Sequence, residues 1–193
     1  MSGNNYDFCI GTANSLLRKH VLQSLGSAGF ISVGEAKSIP SFLRLLRTVQ
    51  PWLAVLDTDL PPGNIQELAH IIENDGLAAA VYINPSGAAL SDYVELKWPV
   101  APDILIAVSK AVCSEFGRKK DMQKQIIALQ QKLNERKLVE RAKGLLINEY
   151  SLREEEAYRF LQRESMQQRL TMAEMAAAVI RNPGAFSALT QRR

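Results

Sequence analysis

The chain has 193 residues, of which 47% are hydrophobic and 22% are charged. This composition is typical of a folded protein with room for one ordinary domain and a smaller one, and it argues against wholesale disorder. No run approaches the roughly 18 uninterrupted apolar residues that a membrane-spanning helix needs. The N-terminal residues lack the basic and apolar stretches of a secretion signal. We therefore expect a cytoplasmic protein.

Charge is distributed unevenly along the chain. Residues 1–116 carry seven Lys or Arg against eleven Asp or Glu, whereas residues 117–193 carry sixteen against nine. A basic C-terminal region favours a polyanionic partner, most simply nucleic acid. The alternative is a solvated basic surface that has no such partner.

The residue types that bind metals do not cluster in the sequence. Cys9 and Cys113 have no metal-type spacing, and they lie in an apolar strand pattern and a helical pattern. His20 and His70 are far apart and lack Cys or carboxylate companions at ligand spacing. We expect no metal site and no cofactor, and we expect both cysteines to be small core residues.

The first 116 residues alternate between short apolar runs and helical patterns. The apolar runs predict strands at 7–11, 30–35, 52–57 and 78–83. Helical spacing predicts helices at 15–29, 39–50, 64–76 and 101–116, whereas residues 86–96 give only a weak signal. Repeated βα units with apolar strands are typical of an α/β fold with a doubly wound, flavodoxin-like parallel sheet. We expect Gly29 to cap the first helix and Pro40 to lie in the first turn of the second.

The third predicted strand ends in "AVLDTDLPPGN", residues 54–64. This places Asp57 at the carboxyl end of a buried strand, where sites in parallel sheets lie. The arrangement resembles the receiver domain of two-component response regulators over about residues 6–116. The resemblance implies that Asp57 is the equivalent of a phosphoacceptor, whose chemistry requires Mg²⁺ held by further carboxylates.

The usual companions of such an aspartate are missing or displaced. The first strand ends in "CIGTAN", which contains no carboxylate, and Asn84 replaces the hydroxyl residue that the family keeps at the end of strand four. Trp98 stands where the family has a lysine before its proline, although Lys97 could still reach inward. We therefore predict that Asp57 is unused as a phosphoacceptor and instead caps the turn that follows it.

Residues 118–150 contain no proline and a single glycine, which predicts one long helix. Its first apolar residues follow the 4-3-4 spacing of a coiled-coil seam, and the phase shifts near residue 135. The seam consists of Met122, Ile126, Leu129 and Leu133. We predict that residues 117–135 form a coiled-coil dimerisation helix; the alternative is that this stripe packs on the chain's own domain.

Two shorter helices complete an all-α, three-helix domain predicted for residues 136–193. The first is expected to begin at Ser151 as N-cap, with three glutamates in its first turn. Its inward stripe comprises Ala157, Phe160, Leu161 and Ser165. The second opens with the capping box formed by Thr171 and Glu174 and stops at "NPG", and residues 185–193 are expected to fray.

Residues 139–180 resemble the ANTAR domain, the RNA-binding output of AmiR- and NasT-type antiterminators. The match rests on the run Arg141-Ala142-Lys143-Gly144-Leu145-Leu146, and further on Glu156, Ala157, Leu161, Met166, Arg169, Leu170 and Ala176. The resemblance implies homodimers that bind paired stem-loops in leader mRNA and prevent a terminator from forming. With a degenerate receiver, it also implies restraint by a ligand-sensing regulatory protein rather than by phosphorylation.

This domain is expected to divide its residues between a small core and a basic surface. Ala142 and Gly144 would permit close helix approach, while Leu145, Ala157 and Leu161 fill the core. The predicted RNA-binding residues are Arg141, Lys143, Arg163, Gln167, Gln168 and Arg169. The alternative is that several of these are solvated helix-face residues. Tyr150 and Tyr158 can stack on bases, but we expect at least one to pack inward.

The sequence therefore predicts a non-enzymatic, RNA-binding transcription antiterminator with a pseudo-receiver at residues 1–116. One alternative is a phosphorylation-dependent response regulator with a helical DNA-binding output. It is disfavoured because "LQRESMQQRLTMAEM" lacks a Gly-containing turn before a recognition helix. A second alternative is a protein-interaction module whose basic surface is incidental.

Overall fold

The computed structural model describes residues 6–87, 90, 92–182 and 184, and it divides the chain into two units. The first unit comprises residues 1–121 and the second residues 122–193. Residues 185–193, which the sequence predicts to fray, lie outside the described part. No helix in the described part is long and apolar enough to cross a membrane.

The first unit is built on a parallel sheet with the strand order β2-β1-β3-β4-β5. The strands are β1 (Asp7–Gly11), β2 (Ile31–Ala36), β3 (Leu53–Asp57), β4 (Ala79–Asn84) and β5 (Glu95–Lys97). The predicted doubly wound α/β architecture is confirmed. The weak segment contributes β5, a strand of three residues at one edge of the sheet.

Three helices connect the first four strands, and local sequence explains where they begin. They are α1 (Ser15–Ser27), α2 (Ile39–Val49) and α3 (Ile65–Asn74). Asn14 caps α1, because its side-chain oxygen accepts hydrogen bonds from the N–H groups of Leu16 and Leu17. Gly29 lies one residue beyond the C-cap of α1 with a φ of +86°, a conformation that suits glycine.

Both faces of the sheet are buried, which explains why its central strands are apolar except for polar residues at their ends. Phe8, Ile10 and Val55 belong to a core on one face, together with residues of α1. Cys9 and Leu56 belong to a core on the other face, together with residues of α2 and α3. Alternate residues of one strand thus enter opposite cores, as the twofold repeat of a strand requires.

The two cysteines are core residues, as predicted. Cys9 and Cys113 are both buried and free. Burial raises the pKa of the Cys9 thiol to about 11 and that of Cys113 to about 12. Both thiols are therefore neutral near pH 7 and behave as small apolar groups.

The helices predicted at 101–116 and 118–150 are a single helix, α4 (Pro102–Tyr150). The chain offers no proline at the junction, and Gly117 stays helical. Trp52 packs there, since its ring lies 5.9 Å from that of Phe116 and its Cζ3 atom 3.5 Å from the Cβ position of Gly117. The Lys120 ammonium lies 4.8 Å from the centre of the Phe116 ring.

The second unit packs the end of α4 against α5 (Glu154–Gln168) and α6 (Met172–Arg181). Its buried apolar core consists of Ala142, Leu146, Ala157, Phe160, Leu161, Met175, Ala176 and Val179. The predicted inward stripe of α5 is confirmed, because all four of its residues are buried.

Two details of the predicted helix packing are wrong. Leu146, not Leu145, enters the core, because the buried face of α4 runs through Val139, Ala142 and Leu146. Gly144 does not mark a close approach of helices, since a Cβ atom there would meet nothing within 4 Å. Apolar spacing alone does not distinguish the two leucines, because both follow Ala142 by three or four residues.

The predicted N-terminal cap is correct for α6 but wrong for α5. In α6 the capping box is confirmed: Thr171 Oγ1 accepts from the N–H of Glu174 at 3.2 Å, and Glu174 Oε2 accepts from the N–H of Thr171 at 2.8 Å. In α5 the N-cap is Arg153 rather than Ser151, and Glu156 accepts its N–H at 2.9 Å. Ser151 instead follows the last residue of α4, with a left-handed φ of 52°.

Candidate nucleic-acid interface and the Asp57 site

Asp57 is buried at the carboxyl end of β3, and both of its carboxylate oxygens accept hydrogen bonds from the chain itself. Thr12 Oγ1 donates to Oδ2 at 2.6 Å, and the N–H of Asp59 donates to Oδ1 at 2.9 Å. The backbone oxygen of Asp57 also accepts the N–H of Leu60 at 3.1 Å. Asp57 therefore closes the turn that follows β3 and joins it to the end of β1.

The other polar residues at this end of the sheet also bond to one another. Asn84 Nδ2 donates to Glu95 Oε1 at 2.6 Å, while Asn84 Oδ1 accepts the N–H of Gly87 at 2.6 Å. Asp59 Oδ1 accepts the hydroxyl of Ser86 at 2.7 Å. These contacts bind the end of β4 and the loop after it to the first residue of β5 and to the turn after β3.

The predicted lysine position, at Lys97 and Trp98, supplies no ion pair with Asp57 in the described part of the chain. Lys97 is exposed. The ring of Trp98 instead packs edge-on against His20, with the ring centres 5.3 Å apart. Trp98 belongs to the apolar surroundings of the α1 face of the sheet.

The Mg²⁺ that the receiver resemblance implies does not fit the residues at this site. Mg²⁺ prefers several carboxylate or other oxygen ligands in near-octahedral geometry. Here the end of β1 offers the Thr12 hydroxyl, which already donates to Asp57. In the described part of the chain no three His, Cys, Asp or Glu side chains converge on a possible metal position.

In the second unit, most of the predicted RNA-binding residues are exposed. Arg141 lies on the outer face of α4. Gln167, Gln168 and Arg169 lie where α5 ends and α6 begins, in a segment of residues 166–171 that is exposed throughout. We call this segment the α5–α6 corner. Arg169 terminates α5 in the left-handed conformation, with a φ of 56°.

The charge at this corner is not neutralised by neighbouring carboxylates. Within the described residues neither Arg141 nor Arg169 forms an ion pair. Two other arginines, one on α5 and one at its N-cap, are paired: Arg159 with Glu155 at 2.6 Å, and Arg153 with Glu156 at 3.3 Å. The corner also precedes the N-terminus of α6, which is closed by the capping box of Thr171 and Glu174.

Arg163 and the two tyrosines of the second unit differ in their exposure. Arg163 is half-exposed, with its guanidinium 5.8 Å from the Phe160 ring centre and its Nε 3.4 Å from the buried Glu164 carboxylate. Tyr158 is exposed by 47%, whereas Tyr150 packs against the core. The prediction that at least one of the two tyrosines packs inward is thus confirmed.

Lys143 is not on the surface, so its predicted surface position is wrong. Its side chain is only 10% exposed, and its Nζ lies 2.9 Å from Glu154 and 3.0 Å from Glu140. These hydrogen bonds raise the pKa of Lys143 and lower that of Glu154. Lys143 thus joins α4 to the first turn of α5. The sequence does contain a signal for such an ion pair, because Glu140 lies three residues before Lys143 on the same helix.

The predicted dimerisation stripe is open in the single chain. Residues 118–138 of α4 are exposed throughout. The exposed fractions of the stripe are 63% for Met122, 42% for Ile126, 64% for Leu129 and 53% for Leu133. An apolar stripe on an otherwise solvated helix indicates a surface that meets another chain or segment.

Comparison with known proteins finds a family match in the second unit and a relative that spans both units. Residues 128–180 match the ANTAR domain. Over 186 residues the chain is 28% identical to the transcriptional regulatory protein PdtaR of Mycobacterium tuberculosis, covering 91% of this chain and 89% of that protein.

Solved structures show the fold of the first unit. The signal receiver domain of the putative response regulator NarL from Mycobacterium tuberculosis matches with a TM-score of 0.51 and 19% identity, over 57% of this chain and 97% of that one. The signal receiver domain of a modulated diguanylate cyclase from Desulfovibrio desulfuricans matches with a TM-score of 0.55 and 17% identity, over 60% and 99%. The chain therefore combines a first unit with the receiver fold and a segment, residues 128–180, that matches the ANTAR domain.

Proposed function

We propose that the chain is a non-enzymatic, cytoplasmic transcription antiterminator that binds stem-loops in leader mRNA. The observation that carries this proposal is the α5–α6 corner of the ANTAR domain. It combines two exposed amide side chains with an arginine that has no carboxylate partner in the described residues. Amides can read base edges in unpaired RNA, and arginine binds phosphate or stacks on bases.

The RNA surface that we propose omits Lys143 from the predicted set and adds Tyr158. It comprises Arg141, Arg163, Gln167, Gln168 and Arg169, with the exposed Tyr158 as a platform on which a base can stack. Lys143 is not part of this surface, because its side chain is mostly buried and its contact with Glu154 holds α4 against α5. Its proposed role is to position the helices rather than to contact phosphate.

The active form is proposed to be a homodimer joined through the stripe on α4. With Ile126 and Leu133 at heptad position a and Met122 and Leu129 at position d, two copies can pair as a short parallel coiled coil. Two ANTAR domains on one dimer can then bind two stem-loops at once, which increases the apparent affinity through effective concentration.

Control by a ligand-sensing partner protein, rather than by phosphorylation, is the proposed mode of regulation. Support comes from the Asp57 carboxylate, whose two oxygens are both engaged by the chain, and from the threonine hydroxyl where a Mg²⁺ site needs a carboxylate. Treatment with acetyl phosphate and Mg²⁺ is expected to leave the intact mass unchanged. A gain of one phosphate that is lost in Asp57→Asn would contradict this.

The RNA-binding proposal is tested with gel shifts of the full chain on leader stem-loops and on duplex DNA of matched length. We expect binding to the stem-loops and much weaker binding to the duplex. Arg169→Ala should weaken RNA binding about tenfold or more, and should reduce the slope of log affinity against log salt by about 0.7 to 0.9.

The matched control is Arg153→Ala. Arg153 lies at the opposite end of α5, is highly exposed and is paired with Glu156. The substitution removes the same charge from the same helix but leaves the corner intact, so RNA affinity should change little. Equal losses in the two variants would indicate a diffuse electrostatic attraction, and no RNA binding at low salt would refute the function.

A further inference from the structure

An open cleft of about 610 Å³ lies at the β2 edge of the sheet in the first unit. Residues of β1, β2, α1 and α2 line it. Its apolar wall is formed by Ile10, Ala36 and Leu45. A volume of this size is too large for an inorganic ion and lies within the range of about 300–1,000 Å³ found for small-molecule sites.

The polar wall of the cleft is cationic, although the first unit as a whole is acidic. Arg18, Lys37 and Arg44 line the cleft together with one carboxylate, that of Glu35. Glu35 already pairs with Arg18, whose Nη2 lies 2.8 Å from Glu35 Oε1. Among the described residues, neither Lys37 nor Arg44 has a carboxylate partner, so two cations remain for an anionic group.

The cleft also reaches the hydrogen bonds of the Asp57 turn. Thr12 lines the cleft, and its hydroxyl is the donor to Asp57 Oδ2 at 2.6 Å. The N–H of Thr12 donates to the backbone oxygen of Ala36, another lining residue, at 3.0 Å. A molecule in the cleft would therefore contact the residue that holds Asp57.

We propose that this cleft binds a small organic anion. Its carboxylate or phosphate is held by Lys37 and Arg44, and its apolar body lies against Ala36 and Leu45. Occupancy is transmitted through Thr12 to the turn closed by Asp57. The receiver fold thereby has an input that needs no phosphoryl transfer, and this input does not depend on whether the second unit binds RNA.

Binding is tested by calorimetric titration of the full chain with four probes: phenyl phosphate, benzoate, inorganic phosphate and benzyl alcohol. We expect one-to-one binding of at least one of the two organic anions, about tenfold or more tighter than inorganic phosphate, and no binding of the neutral alcohol. Comparison of phenyl phosphate with benzoate distinguishes a phosphate from a carboxylate group.

The combined variant Lys37→Gln, Arg44→Gln should weaken binding by about a hundredfold, since it removes two charge-assisted contacts. The control is Lys19→Gln, an exposed charge on α1 that does not line the cleft. Its affinity should equal that of the wild type. Failure of both organic anions to bind, or equal binding by the double variant, would overturn the proposal.

Transmission is tested by amide NMR of the same titration. The N–H of Asp59 donates to Asp57 Oδ1, so its resonance reports on the turn. It should shift on binding in the wild type and in Thr12→Ser, which keeps the hydroxyl, but not in Thr12→Val. An equal shift in Thr12→Val would refute transmission, and shifts confined to residues 139–182 would refute the site.

Discussion

The two units use polar side chains in opposite ways. At the carboxyl end of the sheet, Asp57, Asn84 and Asp59 bond to neighbouring residues of their own chain. At the α5–α6 corner, Arg169 and the two glutamines beside it extend into solvent. A site whose groups satisfy one another is a structural joint, whereas a surface with unpaired donors remains available to another molecule.

The largest expected effect follows from the size of the two cores. Leu161→Ala should destabilise the second unit by about 2–5 kcal/mol, because it opens a cavity in a small core where Leu161 is fully buried. Thermal unfolding followed by calorimetry should show the transition of the second unit lost or strongly lowered. The matched variant Leu56→Ala should instead lower the transition of the first unit. A common shift of both transitions in each variant would show that the units unfold together.

The role of the stripe on α4 can be distinguished from that of the rest of the helix surface by placing the same charge at two neighbouring residues. Ile126→Lys places a charge in the proposed dimer seam and should dissociate the dimer, as measured by sedimentation at micromolar concentration. Ile127→Lys places the same charge at an exposed position outside the seam, so it should leave the mass of the assembly unchanged. A monomeric wild type would contradict the dimer.

The Asp57 joint is expected to contribute to stability through the Thr12 hydroxyl. Thr12→Val keeps the shape of the side chain but leaves a buried carboxylate oxygen without its donor, which should cost about 1–3 kcal/mol. Denaturant unfolding of the first unit measures this loss. Thr12→Ser restores the donor and should recover most of it; equal losses in both variants would mean that packing of the methyl group is what matters.

Substitutions at Lys143 and at Arg169 should distinguish a residue that positions the helices from a residue that contacts RNA. Lys143→Met should lower the stability of the second unit by about 1 kcal/mol, since it removes two hydrogen-bonded carboxylate contacts. RNA affinity well below the unfolding temperature should be largely retained. Arg169→Ala should show the reverse pattern, with weaker RNA binding and nearly unchanged unfolding. Loss of RNA affinity in a fully folded Lys143→Met variant would restore Lys143 to the RNA contacts.

The smallest expected effect concerns acid stability of the second unit. Hydrogen bonds from Lys143 hold the pKa of Glu154 below its ordinary 4.5, and hydrogen bonds from Thr171 do the same for Glu174. A carboxyl with a lowered folded pKa stabilises the fold above its unfolded pKa, and this contribution is lost as pH falls through the folded value. The unfolding midpoint should therefore decline between about pH 5 and pH 3, and less steeply in Glu154→Gln. An identical slope in that variant would contradict the assignment.

Much of the first unit follows from local pattern. The apolar runs correctly predict four strands, and the segment around Asp57 places that residue at the end of β3. This works because the central strands of the sheet are covered on both faces, so that burial leaves a continuous apolar signature. The weak segment at residues 86–96, in which β5 begins, is less informative, since that strand has only three residues, none of them buried.

The candidate interface was harder to predict, because exposure depends on which helix covers which face. The pattern correctly placed Gln167, Gln168 and Arg169 on the surface, where no apolar stripe passes. It did not show that α5 would bring Glu154 to Lys143, or that the buried face of α4 would include Leu146 in place of Leu145. Those outcomes depend on the rotation and crossing of helices, which residue spacing defines only within about a residue.

The sequence by itself determined the order of strands and helices, the capping box of α6 and the division between an acidic and a basic region. These features depend on residues within a few positions of one another. Only the tertiary structure decided that the Thr12 hydroxyl meets Asp57, 45 residues away in the chain, and that Lys143 is enclosed by carboxylates. Such pairs form because packing brings distant segments together, and the energy of each contact depends on burial that no single segment specifies.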